Sequence, residues 1–505
     1  MIKQTLQKLH SLVLTPSIIL GIAIALGRLA GFFREILLAQ SMGVTVLTDV
    51  AIVLLTLPDM LVGLLLSGGL NVALVPALGR AREFAPLLFK DASLFFVSLF
   101  IFFGGFFLAF PSVWFHILAP GISFEVVNVS SWAFFAIALS FPLTALSGIN
   151  TSLLNARHRF FVAGCGTLIF NLSVLLGLSL GAVYGNSINF ICLGILVGAI
   201  IRWMSQQFAL PKEFISWIPT IRRNSKLLPE IASDFFHGLI ASFALIMVPV
   251  IIRSVASNFG PGYLSAFNYA MKLVELPLAI LITTIATVAY PKFCQYHFDN
   301  HSDKFHRRFQ DSLNKSWLLS LSVLIFGWPL SSVIIQLFFG NGLINQGMLF
   351  ILVDLTKIAL LSVPFVGINT LMICALNAKG LSKFVVQRNI TSLVILLIIL
   401  SFGVYEQSPQ IAMLALPIFH IGLIFLFYIG NKELRLMVGW KSLFFIFFGL
   451  AIGASPIYIT QFIKQDISSF YQILMALVLW PFALWISTSI NSHFKFTSKN
   501  DQKTF

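Results

Sequence analysis

Runs of about twenty or more apolar residues recur along the whole chain, with little between them that could form a water-soluble core. Roughly 20 apolar residues are what a helix needs to cross the hydrocarbon of a bilayer. The spacing predicts fourteen helices, near 14–39, 46–79, 91–112, 128–154, 160–183, 188–210, 230–257, 262–291, 313–338, 347–377, 384–403, 409–430, 442–462 and 468–490. Composition agrees. Of 505 residues, 58% are hydrophobic and 10% charged, and the mean hydropathy is +0.94. A soluble domain of this length needs more polar surface than that. The fold class expected is therefore an all-α polytopic membrane protein. The first run follows Lys3 and Lys8, as a signal peptide would. It is too long, contains Arg28 and lacks a small-residue cleavage site, so it is expected to remain as the first helix.

The formal net charge is +14, a value that could suggest nucleic acid. Its placement points to membrane topology instead. With the amino terminus inside, 25 of the 32 lysines and arginines fall in both termini and in the even-numbered loops or the helix ends that border them. Lys464 alone falls in an outer loop, and six lie within helices. Such asymmetry follows the positive-inside rule and places both termini in the cytoplasm. The four cysteines, Cys165, Cys192, Cys294 and Cys374, lie in or beside apolar runs without metal-ligand or paired spacing. They read as small apolar side chains.

The chain also repeats itself. The second predicted helix carries Leu57-Pro58 and Val75-Pro76; the eighth carries Leu276-Pro277 and Tyr290-Pro291. The fourth has Pro142 and ends in LNAR (154–157); the tenth has Pro364 and ends in LNAK (376–379). These pairs are offset by 219, 215 and 222 residues. The organisation expected is a six-helix half at 1–210, a cytoplasmic linker at 211–229, a second half in the same orientation at 230–430, and two extra helices with a tail at 431–505. Parallel repeats of this kind suggest a transporter with its site between the halves.

A charge near the bilayer centre costs a few kcal/mol on the most lenient scales (about 2.5–3.5), so intramembrane charges mark wet cavities or partners. Here they fall in corresponding places. Helix one has Arg28, Arg34 and Glu35, and helix two has Asp49 and Asp59. Helix seven has Asp234, His237 and Arg253, helix eight has Lys272 and Glu275, and helix ten has Asp354 and Lys357. Arg28 and Glu35 share a helix face, whereas Arg34 points about 120° away but can bend its long stem. Gly27 and Gly31 thin the helix around Arg28 for close packing or ligand approach. Lys272 and Glu275 can pair locally. Pro58, beside Asp59, is expected to break helix two near its midpoint and free backbone carbonyls. Forked guanidinium donors suit phosphate, which makes Arg28 and Arg34 candidate anion ligands; mutual salt bridges locking the helices are the other reading. Arg202 and Arg253 sit near helix ends, where snorkelling explains them. His116, His237 and His420 read as packed or interfacial.

These residues carry a family resemblance. The stretch GRLAGFFREILLAQSMGVTVLTDV, followed by LPDML and GGLNVALVPAL, resembles the opening of the MurJ (MviN) lipid II flippases, within the multidrug/oligosaccharidyl-lipid/polysaccharide exporter superfamily. The matching positions are Arg28, Gly31, Arg34-Glu35, Thr48-Asp49, Leu57-Pro58-Asp59 and Val75-Pro76. In helix eight, NYAMKLVELP resembles the family's Y-A-x-R-x-x-x-x-P, with Lys272 where arginine is usual. Fourteen helices also fit. The resemblance implies two lobes enclosing a cationic cavity for the pyrophosphate and sugar-peptide head of lipid II, a tail groove at the last two helices, and lobes that rock. It implies that Arg28, Arg34 and Lys272 bind the phosphates and that Glu35 and Asp49 shape the cavity or its gate. By their placement in the same helices, Asp59 is a further substrate-binding candidate, and Gly31, Pro58, Glu275 and Arg253 are further cavity or gate candidates. No metal, cofactor or nucleic acid is expected; the partners are lipid II or a related polyprenyl-pyrophosphate glycan and membrane lipid, in the bacterial inner membrane. Val62-Gly63, Ser67 and Met271 stand where the family usually has charges.

Other readings are a flippase for another polyprenyl-linked glycan, or a cation-coupled exporter that would use Asp49, Asp59 and Asp234. A membrane enzyme acting on polyprenyl phosphates would need an acidic, histidine or metal constellation at a membrane edge, and no such motif is present in the loops. A paralogue that has lost transport and acts as a scaffold is the remaining alternative.

Overall fold

The computed structural model describes residues 16–65, 70, 74, 77–78, 84–127, 129–157, 159–185, 187–215, 228–340, 342–463 and 469–501. The Val75-Pro76 motif, Ser67, Lys464 and most of the 211–229 linker lie outside the described residues. Among the described residues the chain is helical, in seventeen α-helices. They are α1 (Pro16–Met42), α2 (Val46–Leu64), α3 (Ala85–Ala109), α4 (Pro111–Leu118), α5 (Ser131–Ala156), α6 (Phe160–Tyr184), α7 (Ser187–Ala209), α8 (Leu228–Ala256), α9 (Tyr263–Phe298), α10 (Ser302–Phe339), α11 (Gln346–Leu360), α12 (Val363–Ala378), α13 (Ser382–Tyr405), α14 (Pro409–Gly430), α15 (Lys432–Met437), α16 (Trp440–Ile463) and α17 (Ser469–Asp501).

Among the described residues, twelve spans are long and apolar enough to cross a membrane, or thirteen when α8, bent by 49° near 241–242, is taken as one. The charge-bearing α1 has 27 residues, about 40 Å at 1.5 Å per residue, which is also enough to cross. The chain is a multi-span membrane protein. Two expectations about helix continuity change. α2 runs unbroken from Val46 to Leu64 through the buried Pro58. In apolar surroundings a helix that loses one N–H donor still does better to keep every other backbone bond closed. The tenth predicted helix, by contrast, is two segments, with α11 ending at Leu360 and α12 starting at Val363, with Pro364 in its first turn where a proline is well tolerated.

The chain forms two compact units, Met1–Asn268 with Gly342–Ile344, and Tyr269–Asn341 with Asn345–Phe505. In the first, α1 packs along α6, α6 along α7, and α5 against α3 and α7. α8 packs on α2, α3 and α4, so this division falls at residue 268, beyond the 211–229 linker. Buried amides and hydroxyls glue α5 to α7. Ser147 donates to Gln206 Oε1 (2.7 Å), Gln206 Nε2 donates to Thr151 (2.9 Å), and Asn150 Nδ2 donates to Gln207 Oε1 (3.0 Å). Between helices in an apolar medium such bonds, together with small residues, replace the hydrophobic drive.

In the second unit α10 packs on α12, α16 and α11. Leu321, Ile325 and Phe326 meet Ile446, Leu450 and Ile457 in one buried cluster. The two extra helices α16 and α17 join here through Gly449 and Gly453, where an added Cβ would stand 2.6 and 2.5 Å from the backbone of Ser487 and Ala483. No side chain larger than hydrogen fits that crossing, which is the small-xxx-small arrangement of membrane helices.

Candidate functional site

The charges of helix one have different fates. Arg34 is buried, with 4% of its side chain exposed. Its Nη1 donates to Asn171 Oδ1 of α6 at 2.9 Å, and its Nη2 donates to Glu35 Oε1 at 2.7 Å and to Asp59 Oδ2 of α2 at 3.2 Å. Residues i and i+1 point about 100° apart on a helix, so the Arg34 stem has bent to reach Glu35. Arg34 Nε has no acceptor. Glu35 is equally buried, and its other oxygen accepts from Asn268 Nδ2 at 2.8 Å. Asn268 Oδ1 in turn accepts from Arg253 Nη1 (2.9 Å), and Arg253 Nε donates to Pro249 O (3.0 Å). Arg253 is thus tied inward by a relay and does not simply extend to the helix end.

Asn171 is the keystone on the α6 side. Its amide nitrogen donates to Gly27 O at 2.9 Å while its oxygen holds Arg34. Gly31 makes room for it: a Cβ on Gly31 would lie 3.1 Å from Asn171 Nδ2. The glycines around Arg28 therefore serve the approach of α6. Arg28 itself is exposed and has no hydrogen bond or ion pair among the described residues. It shares a nominal helix face with Glu35, yet the two differ in burial. Seven residues are about 10 Å along the axis, and the neighbours change over that length.

Asp59 bridges the two environments. Its carboxylate is 43% exposed, and its contact with Arg34 is longer than that of Glu35. It is the weaker anion on this cation and the one an incoming anion could replace.

A second knot lies at Asp49, in the first turn of α2. Its Oδ2 accepts from the Gly262 N–H at 2.7 Å, and its Oδ1 accepts from the Ser265 N–H at 2.8 Å and from the Ser265 hydroxyl. Gly262 has φ +85°, and a Cβ there would come within 2.6 Å of Val44. Glycine is needed on both counts for this N–H to face the carboxylate. Thr45 caps the helix by accepting from the Thr48 N–H (3.3 Å), which fixes the turn that carries Asp49.

In the second unit, Lys272 Nζ donates to Glu275 Oε2 at 2.8 Å across one helical turn, with side chains 28% and 36% exposed. The local pairing expected from their spacing is present. Met271 beside them is buried. Arg202 departs from expectation: it is 3% exposed inside the first unit, its Nε lacks an acceptor, and it lies against Gly166, where an added Cβ would be 2.9 Å from that Nε. His420 is packed as expected, against Asn369 (3.1 Å to Nδ1). His237 is exposed, with Nδ1 2.8 Å from Ser233 O. Asn171, Asn268, Ser265 and Gly262 escaped the reading of the sequence. A scan for ionisable residues passes over amides, although a lone Asn171 inside the apolar run LIFNLSVLL was the visible sign.

Comparison with known proteins decides the family. The family model for MurJ, described as lipid II flippase MurJ, matches residues 38–479. The chain belongs to the MurJ family. A curated relative from Thermotoga maritima named probable lipid II flippase MurJ is 26% identical over 322 residues, covering 62% of this chain and 63% of the relative. A lipid II flippase MurJ from Burkholderia cenocepacia is 24% identical over 345 residues, covering 61% and 63%. The chain thus aligns with somewhat under two-thirds of the length of these relatives. Among solved structures, a lipid II flippase MurJ in an inward closed conformation superposes with a TM-score of 0.83 at 21% identity, covering 95% of this chain and all of that one. An inward-facing multidrug resistance MATE transporter of the MOP superfamily superposes at 0.69 and 12% identity over 83% of the chain. At these identities the likeness is one of fold.

Proposed function

We propose that this MurJ family chain is a flippase, not an enzyme, which moves lipid II, the undecaprenyl-pyrophosphate-linked peptidoglycan precursor, from the cytoplasmic to the outer leaflet by alternating access. Family membership supports the reading, and one observation carries it: Arg28 stands exposed and unpaired among the described residues, while Arg34, six residues on in the same helix, is buried and held by Asn171, Glu35 and Asp59 through its two terminal nitrogens. A guanidinium so placed is stabilised by an anion brought to it, and the fork matches a pyrophosphate. Lys272 is a further partly exposed cation, held by Glu275. Arg34 is the reserve site. A phosphate oxygen arriving beside Arg28 competes with Asp59 for Arg34, the looser of its two acidic partners. The family's rocking halves correspond to 1–210 and 230–430, with the extra helices of 431–505 serving the lipid tail. On this reading the Asp49 knot with Gly262 and Ser265 is a gate latch, and the basic loops and both termini face the cytoplasm.

The buried Met271, where the family usually has an acid, and the uncharged Val62-Gly63 favour a second reading, a flippase for a related polyprenyl-linked glycan. One experiment tests both. Bacteria depleted of their own lipid II flippase are supplied with this chain or with Arg28→Ala. Growth with the unaltered chain and lysis with Arg28→Ala at equal membrane levels is the expected result. Failure of the stably inserted unaltered chain to rescue would overturn lipid II as substrate.

A further inference from the structure

The second unit holds a cavity of about 680 Å³ that the transport reading leaves unused. It opens where the end of α9, the start of α10, the end of α12 and the short α15 come together. Its walls bring Lys379, Lys432, His297, His306, Asn300 and Glu433 to one space. We propose that this cavity is a binding site for a phosphate-bearing ligand, a monoester or diester, distinct from the charges of α1.

Loops on the basic side of a membrane protein carry lysines for topological reasons alone. That does not account for where these lysines are. Lys379 is recessed, 17% exposed, with its ammonium 4.9 Å from the centre of the Phe305 ring. Its anionic partner is Glu433, which is 68% exposed on a six-residue helix. Lys379 holds the Glu433 carboxyl below its ordinary value of 4.5, with His297 and His306 adding to the same field. Glu433 is thus a resident anion, attached to the cavity by a single exposed side chain. A phosphate presents three or four oxygens to the same space and can take Lys379 and Lys432 together. Lys432 is exposed and has no partner among the described residues. His306 Nε2 donates to Leu436 O at 3.3 Å, which fixes the ring at the cavity wall. One acid, Glu433, stands against two lysines, Lys379 and Lys432, which leaves the lining cationic at neutral pH.

The volume exceeds what inorganic phosphate needs and falls within the range of small-molecule sites, roughly 300–1,000 Å³. Two sources supply the chemistry. An anionic phospholipid could present its head group, since basic pockets between membrane helices take such groups, and Leu436 on the rim, 71% exposed, offers an apolar lip. A soluble phosphate ester could enter from the aqueous side.

The test uses the full chain carrying Arg28→Ala, so that anion binding at α1 does not enter the signal. One arm is native mass spectrometry with phosphatidylglycerol against phosphatidylcholine. The other is calorimetric titration with glycerol 3-phosphate in phosphatidylcholine nanodiscs. Binding in the first arm supports a lipid source, and binding in the second supports a soluble one. In the arm that binds, Lys432→Gln should weaken the interaction about tenfold, and Glu433→Gln should tighten it several-fold by removing the resident anion. Tightening is an effect that lost folding cannot produce. Retention of neither ligand, or binding unchanged by both substitutions, would overturn the proposal.

Discussion

The helices α2 and α9 carry matching Leu-Pro pairs, Leu57-Pro58 and Leu276-Pro277, yet they use charge in opposite ways. The most apolar stretch of α2 is 67% buried, and that of α9 is 22% buried. The acids of α2 are spent inside the first unit, Asp49 on three donors and Asp59 on Arg34. The Lys272–Glu275 pair of α9 is half-exposed and satisfied within its own turn. The acids of α2 are engaged with other segments of the first unit, whereas the pair of α9 is partly exposed. The same split appears within α1, between Arg34 and Arg28. An intramembrane charge is therefore not a site until its partners have been counted.

Four substitutions break or sharpen that contrast. Arg34→Ala strands the buried Glu35, and breaking a buried pair on one side costs about 3–5 kcal/mol. The expected result is a marked loss of folded protein in the membrane, seen as reduced detergent-solubilised monomer on size exclusion, with partial recovery in Arg34→Ala/Glu35→Gln. An unaltered level would move Arg34 to the ligand-binding side of the comparison. Asp49→Ala leaves the Gly262 and Ser265 amides without their acceptor, at about 1–3 kcal/mol for each buried group. Hydrogen exchange should become faster at those two amides, at the start of α9, while α2 keeps its protection. Gly31→Ala presses on Asn171 Nδ2 across 3.1 Å and should cost about 1–3 kcal/mol through a shifted α6, measured as a lower melting temperature. Lys272→Ala should change stability least, by less than about 1 kcal/mol, because its only described ion pair is half-exposed. It should nevertheless lower complementation strongly, while Lys272→Arg sustains growth. A melting loss as large as that of Arg34→Ala would erase the distinction between the two repeats.

The sequence made the architecture legible because span length and apolar composition are local properties. Fourteen runs of the right length are visible without any knowledge of which touch. The proline repeat was equally visible, but its consequences were not. Pro58 sits inside a continuous helix, whereas Pro364 stands just after a break. A proline's effect depends on what packs around it, and that is tertiary. The same limit applied to the charges. Arg34, Glu35, Asp49 and Asp59 were picked out as ionisable residues in an apolar context. Their partners lie far along the chain, Asn171 at a separation of 137 residues from Arg34 and Asn268 at 233 from Glu35. Whether Arg34 is a ligand or a lock is decided by residues that only the fold brings to it.

The Arg34 relay also constrains how the protein is made. α1 leaves the ribosome before α6 and α9, carrying Arg28, Arg34 and Glu35, and each charge at mid-membrane costs about 2.5–3.5 kcal/mol in insertion. Arg34 and Glu35 can find each other at once. Asn171 and Asn268 have not yet been synthesised, and at 5–20 residues per second the wait for Asn268 is roughly 12–50 seconds. The first helix must spend that time beside the insertion machinery or at the membrane surface, poorly suited to the lipid on its own. Its final seat is completed by α6 and by the first turns of α9. Biogenesis of this chain therefore runs partly backwards, with the earliest segment among the last to be secured.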